Sequence, residues 1–206
     1  ASWAESDRTL YVNYRTITRV TESGYTYTEG RRLSRVVVTE PPAINSANKW
    51  TQDVAITFTA FDVPYWEDES KYMYSFAANT MDIFSRYQYS GNIYNRGTAE
   101  SPVTMRITND SSSQLQSMNI RCGNSWFYFE KLDIDPGAGL EIDYDSDSGI
   151  LQILERRSDG LLGGNKMPCR TAESQDDLMI SPGAVSVQVS ANVAVSGYFY
   201  CRGRYL

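Results

Sequence analysis

The feature that most constrains the fold of this chain is an alternation of apolar and polar residues at every second position. The alternating stretches are short, rich in β-branched or aromatic residues, and bounded by Gly, Pro, Asn, Asp or Ser. They lie at residues 10–14, 54–60, 103–107, 118–122, 126–131, 140–144, 150–154 and 185–189. Such alternation predicts antiparallel sheets that keep one face in water. We therefore expect a mainly β protein, built as a sandwich or a barrel.

One stretch departs from this period. Its apolar residues recur at intervals of three and four, which is the spacing of one face of a short helix, although an irregular apolar linker produces the same spacing. They are Met73, Phe76, Ala77, Thr80, Met81 and Phe84. Residues 70–90 are accordingly the expected junction between two β modules. We expect an N-terminal β domain over residues 1–75 and a second domain over residues 76–206.

Turn-forming residues separate several strands in the second half of the chain. Residues 135–139 read Asp-Pro-Gly-Ala-Gly, and residues 145–149 read Asp-Ser-Asp-Ser-Gly. Proline fixes φ at the entry to a turn, and Gly and Asp tolerate a positive φ, so both segments predict hairpins. Ser181-Pro182-Gly183 is expected to open the strand at residues 185–189.

The chain contains no histidine, which removes Ser-His-Asp and Cys-His catalysis as well as zinc sites with histidine ligands. Its net charge of −6 argues against a nucleic-acid partner. No run of 18 apolar residues is present, and we expect neither a membrane span nor a signal peptide. Cys122, Cys169 and Cys201 lie far apart, so we expect reduced thiols, with Cys122 and Cys201 as small buried apolar residues.

A candidate metal site is the pattern Asp143-x-Asp145-x-Asp147, which is similar to the opening of a calcium-binding EF-hand loop. The sixth position, however, is Ser148 instead of Gly, and the twelfth is Leu154 instead of Glu. No helical pattern flanks the loop. A hairpin that points its acidic groups at water is the simpler interpretation, and a weak calcium site is the alternative.

Paired carboxylates for glycosidase chemistry are available in number. They are Glu130, Asp133, Asp135, Glu141 and Asp143. Acidic residues on exposed strand faces are also what solubility alone requires, so we expect no enzyme and no cofactor.

Three aromatic clusters are candidates for binding: residues 65–66, 126–129 and 198–200. Alternation sends Phe127 and Phe129 into the core and leaves the residues between them on the opposite face. Exposed Tyr and Trp favour a protein interface, and stacking on sugar rings is the alternative. The candidate residues are Trp66, Trp126, Tyr128, Tyr198 and Tyr200.

Residues 54–66 read Val-Ala-Ile-Thr-Phe-Thr-Ala-Phe-Asp-Val-Pro-Tyr-Trp. They are similar to the strand and F-x-A-x-D-P-Y-W turn that close the first domain of siphophage distal tail proteins, the Dit family, with one Val inserted. Residues 92–109 resemble its n-x-G-t-x-x-x-P-v-x-x-I-t-N entry into the second domain. Residues 140–143, 181–183 and 200–206 continue the order. Residues 1–53 match loosely, and the first domain is shorter than is usual in the family.

The resemblance implies a structural component of a siphovirus tail tip or baseplate, a hub that links the tail tube to adhesion or receptor-binding proteins. It implies a galectin-like second domain and a hexameric ring formed through the first. The partners would be the tail tube, the tail hub and the receptor-binding protein, with no nucleic acid or membrane. The chain would be made and assembled in the host bacterial cytoplasm and reside at the virion tail tip. The alternative is a carbohydrate-binding module that contacts the host cell wall through residues such as Trp126 or Tyr128.

Overall fold

A computed structural model of the chain describes residues 66–68, 70–144 and 150–205 with their side chains. In the first 65 residues it describes the backbone of five strands, at 8–15, 28–38, 43–48, 51–55 and 58–60. The chain divides into two compact units, residues 1–70 with 204–206 (unit 1) and residues 71–203 (unit 2). Within the described ranges, no helix has the length and apolar character needed to cross a membrane.

The described chain is mainly β, as the alternation predicts, with one turn of 3-10 helix at Met167–Cys169. In chain order the strands are β1 (Arg8–Arg15), β2 (Thr28–Val38), β3 (Ala43–Asn48), β4 (Thr51–Ala55), β5 (Phe58–Ala60), β6 (Trp66–Asp68), β7 (Tyr72–Ala78), β8 (Thr80–Met81), β9 (Tyr87–Asn95), β10 (Ser101–Asn109), β11 (Leu115–Cys122), β12 (Ser125–Ile134), β13 (Gly139–Tyr144), β14 (Leu151–Arg156), β15 (Leu162–Asn165), β16 (Met179–Ile180), β17 (Gly183–Ala191), β18 (Val195–Cys201) and β19 (Arg204–Tyr205).

Unit 1 contains an antiparallel sheet in the order β1-β2-β6-β19, with β5 also paired to β2, and a separate hairpin of β3 and β4. The alternating run at residues 54–60 was expected to form one strand. It is divided instead between β4, which pairs with β3, and β5, which pairs with β2. Alternation fixes which residues share a face but not where a strand changes its partner.

Unit 2 is built from two antiparallel sheets that enclose one core, which confirms the predicted β-sandwich class. The seven-stranded sheet has the order β15-β14-β13-β10-β18-β7, with β16 on β10, and the five-stranded sheet has the order β12-β11-β17-β9-β8. Strands β10 and β18 therefore lie inside the larger sheet, with β18 between β10 and the edge strand β7. Neighbouring strands of this sheet are not always neighbours in the sequence. Strand β10, for example, pairs with β18 near the end of the chain.

Aromatic rings join the two sheets across the core. Phe199 of β18 is fully buried, and its ring lies 4.9 Å from that of Phe76 on β7. The Phe76 ring in turn lies 5.7 Å from that of Tyr89 on β9, which belongs to the other sheet. Phe127 and Phe129 are fully buried as predicted, with their rings 6.0 Å apart. Burial of such side chains is the main term that stabilises the sandwich.

The short helix considered for residues 73–84 is not formed. Residues 72–78 are strand β7, in which Tyr72, Tyr74, Phe76 and Ala78 face inward, and Met73 is 61% exposed. The spacing of three and four combines apolar residues from both faces of β7 and from the turn that follows it. Pairing with β18 along the whole of β7 supplies the hydrogen bonds that a helix would have made internally.

The segment at residues 135–139 is a turn but not a hairpin. The amide of Ala138 donates to the carbonyl of Asp135 at 3.1 Å, and Gly137 has a φ of +76°. The turn leads from β12 in one sheet to β13 in the other, so the two strands do not pair. Strands β13 and β14 do pair as a hairpin, as predicted, although the connecting residues 145–149 lie outside the described residues.

Two buried asparagines, Asn95 at the end of β9 and Asn109 at the end of β10, bind the neighbouring loops through their side-chain amides. Asn95 Nδ2 donates to the carbonyls of Ala99 and Ile180, at 2.9 and 3.1 Å. Asn109 Nδ2 donates to the carbonyls of Ser113 and Ile134, at 2.9 and 3.2 Å. Each side chain is about 1% exposed. These are the two asparagines of the n-x-G…I-t-N pattern, and an amide that both donates and accepts satisfies buried backbone groups at each position.

Candidate functional site

The outer face of the seven-stranded sheet carries two of the predicted interface residues, Tyr198 and Tyr200. Phe199 and Cys201 of the same strand point into the core, so alternation along β18 directs the two tyrosines to the opposite side. Tyr198 is 39% exposed and Tyr200 is half-buried. Their rings lie 6.1 Å apart. Both candidate residues therefore lie on a face away from the core, and their role as interface residues stays a prediction.

The strands on either side of β18 extend this face. Tyr198 lies opposite Arg106 of β10, and Tyr200 lies between Thr104 of β10 and Met73 of β7. Met73 is 61% exposed, and its thioether side chain extends the apolar surface of the two rings towards the edge of the sheet. We call the surface of Met73, Arg106, Tyr198 and Tyr200 the tyrosine face.

Two ion pairs border the tyrosine face. Arg106 Nε lies 3.2 Å from Glu141 Oε2, and Arg106 Nη2 lies 3.4 Å from Glu141 Oε1. Lys71 Nζ lies 3.4 Å from both carboxylate oxygens of Asp143. A groove of about 240 Å³ beside Tyr200 is lined by these four charged side chains. The two positive and two negative charges of the groove compensate one another. A partner that covers the groove therefore buries no unpaired charge of this chain.

The predicted calcium ligand Asp143 is engaged by neighbouring residues. Besides Lys71, it accepts a hydrogen bond from the amide of Tyr144 at 2.8 Å. Asp145 and Asp147 lie outside the described residues. In the described ranges, no three side chains of the types His, Cys, Asp or Glu are grouped so that they could hold a metal ion.

Trp126 and Tyr128 lie on the outer face of the five-stranded sheet, on its edge strand β12. Both are half-buried, and the segment at residues 170–175 covers the edge of their strand. The amide of Thr171 donates to the carbonyl of Tyr128, and that of Gln175 to the carbonyl of Trp126, at 2.9 and 3.0 Å. The indole N–H of Trp126 donates to the carbonyl of Glu173 at 2.9 Å. An open strand edge, which invites pairing with another chain, is thereby closed.

The residues paired with Trp126 and Tyr128 on that outer face are polar. Arg121 lies opposite Trp126, and Asn119 lies opposite Tyr128. Gln188 of the next strand lies opposite Arg121. This part of the face presents amide and guanidinium groups beside an indole and a phenol ring.

Trp66, the fifth predicted aromatic residue, belongs to unit 1. It is half-buried on β6, opposite Tyr205 of β19. Beside it, Arg204 Nε lies 2.8 Å from Glu67 Oε1. The predicted aromatic candidates therefore fall on three separate sheet faces.

The five carboxylates considered for acid–base chemistry include two that share a face, Glu141 and Asp143, and each of these is paired with a cation as described above. Asp135 accepts a hydrogen bond from Gln114 Nε2 at 2.8 Å. Glu130 and Asp133 lie on strand β12, and both are exposed. Ion pairing with separate cations suits a structural role for Glu141 and Asp143.

A polar groove of about 560 Å³ was not expected from the sequence. Its hydrogen-bonding side chains include Glu100, Asn124, Gln175, Asp177 and Ser186. The residues come from four separate stretches of the chain. Two of them meet because β11 pairs with β12 and β17, and the other two because β16 pairs with β10. No local motif marks them, so no pattern in the sequence could have found them.

The three cysteines, all in described parts of the chain, form no disulfide, in agreement with the expectation of reduced thiols. Cys122 and Cys201 are buried, as predicted, and Cys169 is half-buried. Burial raises the pKa of the Cys122 thiol to about 12, and the nearby Cys201 contributes to the increase. A thiol that keeps its proton in this way is a poor nucleophile.

Fold and surfaces together define a two-unit, antiparallel β protein with a Dit-like architecture. No family model matches the sequence, and no curated protein matches it. Among solved structures, the fold is similar to that of SPP1 Dit (gp 19.1), whose crystal structure is described as a paradigm of the hub adsorption apparatus in phages that infect Gram-positive bacteria. The TM-score is 0.52 at 14% identity, over 98% of this chain and 80% of that chain. The similarity establishes the shared fold.

Proposed function

We propose that this chain is a structural component of a phage tail tip, a hub that joins the tail tube to adhesion or receptor-binding proteins. The observation that carries the proposal is the similarity to SPP1 Dit, which extends over 98% of this chain and thus includes both units. Fold similarity alone does not imply function. The surfaces of unit 2 supply the further support.

The tyrosine face has the composition of a protein interface. Tyr, Met and Arg are enriched in such interfaces, and Tyr and Arg supply many of the residues on which affinity depends. Here Tyr198 and Tyr200 lie on an interior strand, and their rings pack 6.1 Å apart, which reduces the side-chain freedom that binding would remove. Arg106 is held by Glu141 before any partner arrives. A partner would therefore meet a surface that is already ordered.

The described chemical groups suit such a structural role rather than catalysis. The Cys122 thiol retains its proton, and the carboxylates beside the tyrosine face are paired with cations. A hub acts through buried surface, typically more than about 1,000 Å² for a durable contact, and requires no reactive group.

In this proposal, unit 1 corresponds to the N-terminal domain, faces the tail tube and forms a hexameric ring. Unit 2 is the galectin-like domain and binds the tail hub or the receptor-binding protein. The chain is assembled in the host cytoplasm, and in the finished virion it is located at the tip of the tail. Contacts in a ring are heterologous, so each copy presents two different surfaces to its neighbours.

The proposal is tested by measuring the mass of the full chain in solution and its binding to purified tail tube, tail hub and receptor-binding proteins of the same phage. We expect a ring or a chain that binds at least one of these proteins. The double variant Tyr198→Ala/Tyr200→Ala should weaken binding by at least tenfold. The matched control is Tyr94→Ala, which removes a tyrosine that is 50% exposed on the other sheet. A strict monomer that binds none of the proteins would contradict the proposal.

A second candidate function, a carbohydrate-binding module, is favoured by the surroundings of Trp126. An indole face can stack on the apolar side of a sugar ring. Arg121 and Gln188 are the cross-strand neighbours of Trp126, and their side chains can hydrogen-bond to the hydroxyl groups of the sugar. A glycan array with the full chain tests this function. Trp126→Ala should abolish any signal, whereas Trp126→Phe, which keeps an aromatic ring, should retain part of it. A blank array for the unmodified chain would exclude the candidate.

A further inference from the structure

The turn between β8 and β9 is held by one carboxylate. Asp82 Oδ1 accepts hydrogen bonds from the amides of Phe84 and Arg86, at 2.9 and 2.8 Å, and Gln88 Nε2 donates to Asp82 Oδ2. The backbone closes the turn as well, because the amide of Asp82 donates to the carbonyl of Arg86 at 2.8 Å. Ser85 adopts a φ of +58° within it. The conformation of residues 82–86 is therefore defined by the turn itself.

This ordered turn presents large apolar side chains to solvent. Ile83 is 91% exposed and Phe84 is 77% exposed, and Met81 beside them is 52% exposed. The hydrogen bonds of the turn use the backbone of Phe84 and the side chain of Asp82, so neither apolar side chain is needed to form it. Turns usually carry Gly, Asn, Asp or Ser at such positions. Contiguous apolar groups at an exposed tip point to an interaction site.

We infer that the tip formed by Met81, Ile83 and Phe84 is an anchor that inserts into an apolar pocket on another tail-tip protein. The inference rests on the proposed function for the identity of the partner, but its evidence is separate from the tyrosine face. Anchors of this kind are pre-organised apolar or aromatic side chains that fill a pocket on the partner. The ordered turn lowers the entropy lost on insertion, because its backbone conformation is already fixed.

The charges of the turn favour a protein over a lipid surface. Asp82 lies at the base of the tip, and Arg86 is the one basic residue between positions 79 and 92. Segments that bind anionic membranes carry clusters of Lys and Arg instead. Insertion into lipid would also bring the Asp82 carboxylate towards hydrocarbon, which is unfavourable. In a protein complex that carboxylate can remain at the rim of the pocket.

The two grooves described above on unit 2 do not suit an apolar tip. They are lined by hydrogen-bonding groups, with Glu100 and Asp177 in one and Arg106 and Glu141 in the other. A phenyl ring placed in either would desolvate charged groups without satisfying them. Neither described groove is therefore the complementary pocket, and we place that pocket on a different protein.

The inference is tested by biolayer interferometry with the full chain immobilised and the tail tube, tail hub and receptor-binding proteins of the same phage as separate probes. The double variant Ile83→Ser/Phe84→Ser should raise the dissociation constant for one probe by about 100-fold, as expected for the loss of two apolar anchors. The matched control is Leu161→Ser, at a residue that is 62% exposed in the turn between β14 and β15, and it should bind like the unmodified chain. Asp82→Ala, which leaves both apolar side chains in place but loosens the turn, should give an intermediate loss. Circular dichroism verifies the fold of each variant.

The possible failures are distinguishable. If the unmodified chain binds a probe and the double variant binds it equally well, the anchor is wrong and the proposed function stands. If the unmodified chain binds no probe, both fail. Binding to vesicles of phosphatidylcholine and phosphatidylglycerol that is lost in the double variant would overturn the inference in favour of a membrane. Dissociation of an oligomer by the double variant alone would overturn it in favour of a second copy.

Discussion

Replacing Phe199 with alanine should destabilise the protein far more than the same replacement at its neighbour Tyr198. Phe199 is fully buried, with its ring 4.9 Å from that of Phe76, and truncation of such a residue costs about 3–5 kcal/mol. Tyr198 is 39% exposed and packs against Tyr200, so its truncation should cost about 1 kcal/mol. Because domains are stable by only about 5–15 kcal/mol, the difference is large compared with the total.

The assay is urea unfolding of the full chain, followed by far-ultraviolet circular dichroism, with the slope of the transition compared between variants. The expected result is a free energy of unfolding that is lower for Phe199→Ala than for Tyr198→Ala by about 2–4 kcal/mol, seen as a lower midpoint at a similar slope. Tyr198→Ala should instead reduce partner binding. Equal destabilisation by the two variants, or a greater effect of Tyr198→Ala, would refute the assignment of the two faces of β18.

Three further predictions follow from buried polar groups and thiols. Ellman's reagent at pH 8 should label Cys169 rapidly and Cys122 and Cys201 only after unfolding; rapid labelling of all three would contradict the described burial. The raised pKa of the Cys122 thiol means that its contribution to stability is complete below pH 9.0 and falls by about 1.4 kcal/mol per pH unit up to about pH 12, so Cys122→Ala should flatten an alkaline stability profile. Asn109→Ala leaves the carbonyls of Ser113 and Ile134 without their donor and should cost about 2 kcal/mol in urea unfolding, whereas a loss below about 0.5 kcal/mol would contradict that role.

Alternation predicted the mainly β class and the faces of the individual strands because a period of two depends on local backbone geometry alone. It placed Phe127 and Phe129 in the core, where the structure has them. It could not predict which strands pair. Strand β10 lies beside β18, and the turn at residues 135–139 passes between the sheets, because long-range pairing is decided by the packing of the whole domain.

The same distinction explains what the sequence revealed of the candidate site. The ion pair of Lys71 and Asp143 joins residues that are 72 positions apart, and no local pattern indicates it. The exposed tip at Ile83 and Phe84 was missed for a different reason. Phe84 fitted the spacing of a helical face, and apolar residues are ordinarily assigned to a core. Only the paired strands β8 and β9 show that both residues lie in a turn.

The role proposed for this chain, a structural component of a phage tail tip, requires that the protein is present at the distal end of the tail. The most direct measurement is electron microscopy of the purified particles of the phage that encodes it, labelled with gold-conjugated antibody against the chain. We predict gold at the distal end of the tail. Particles without label, or label confined to the capsid, would contradict the proposal.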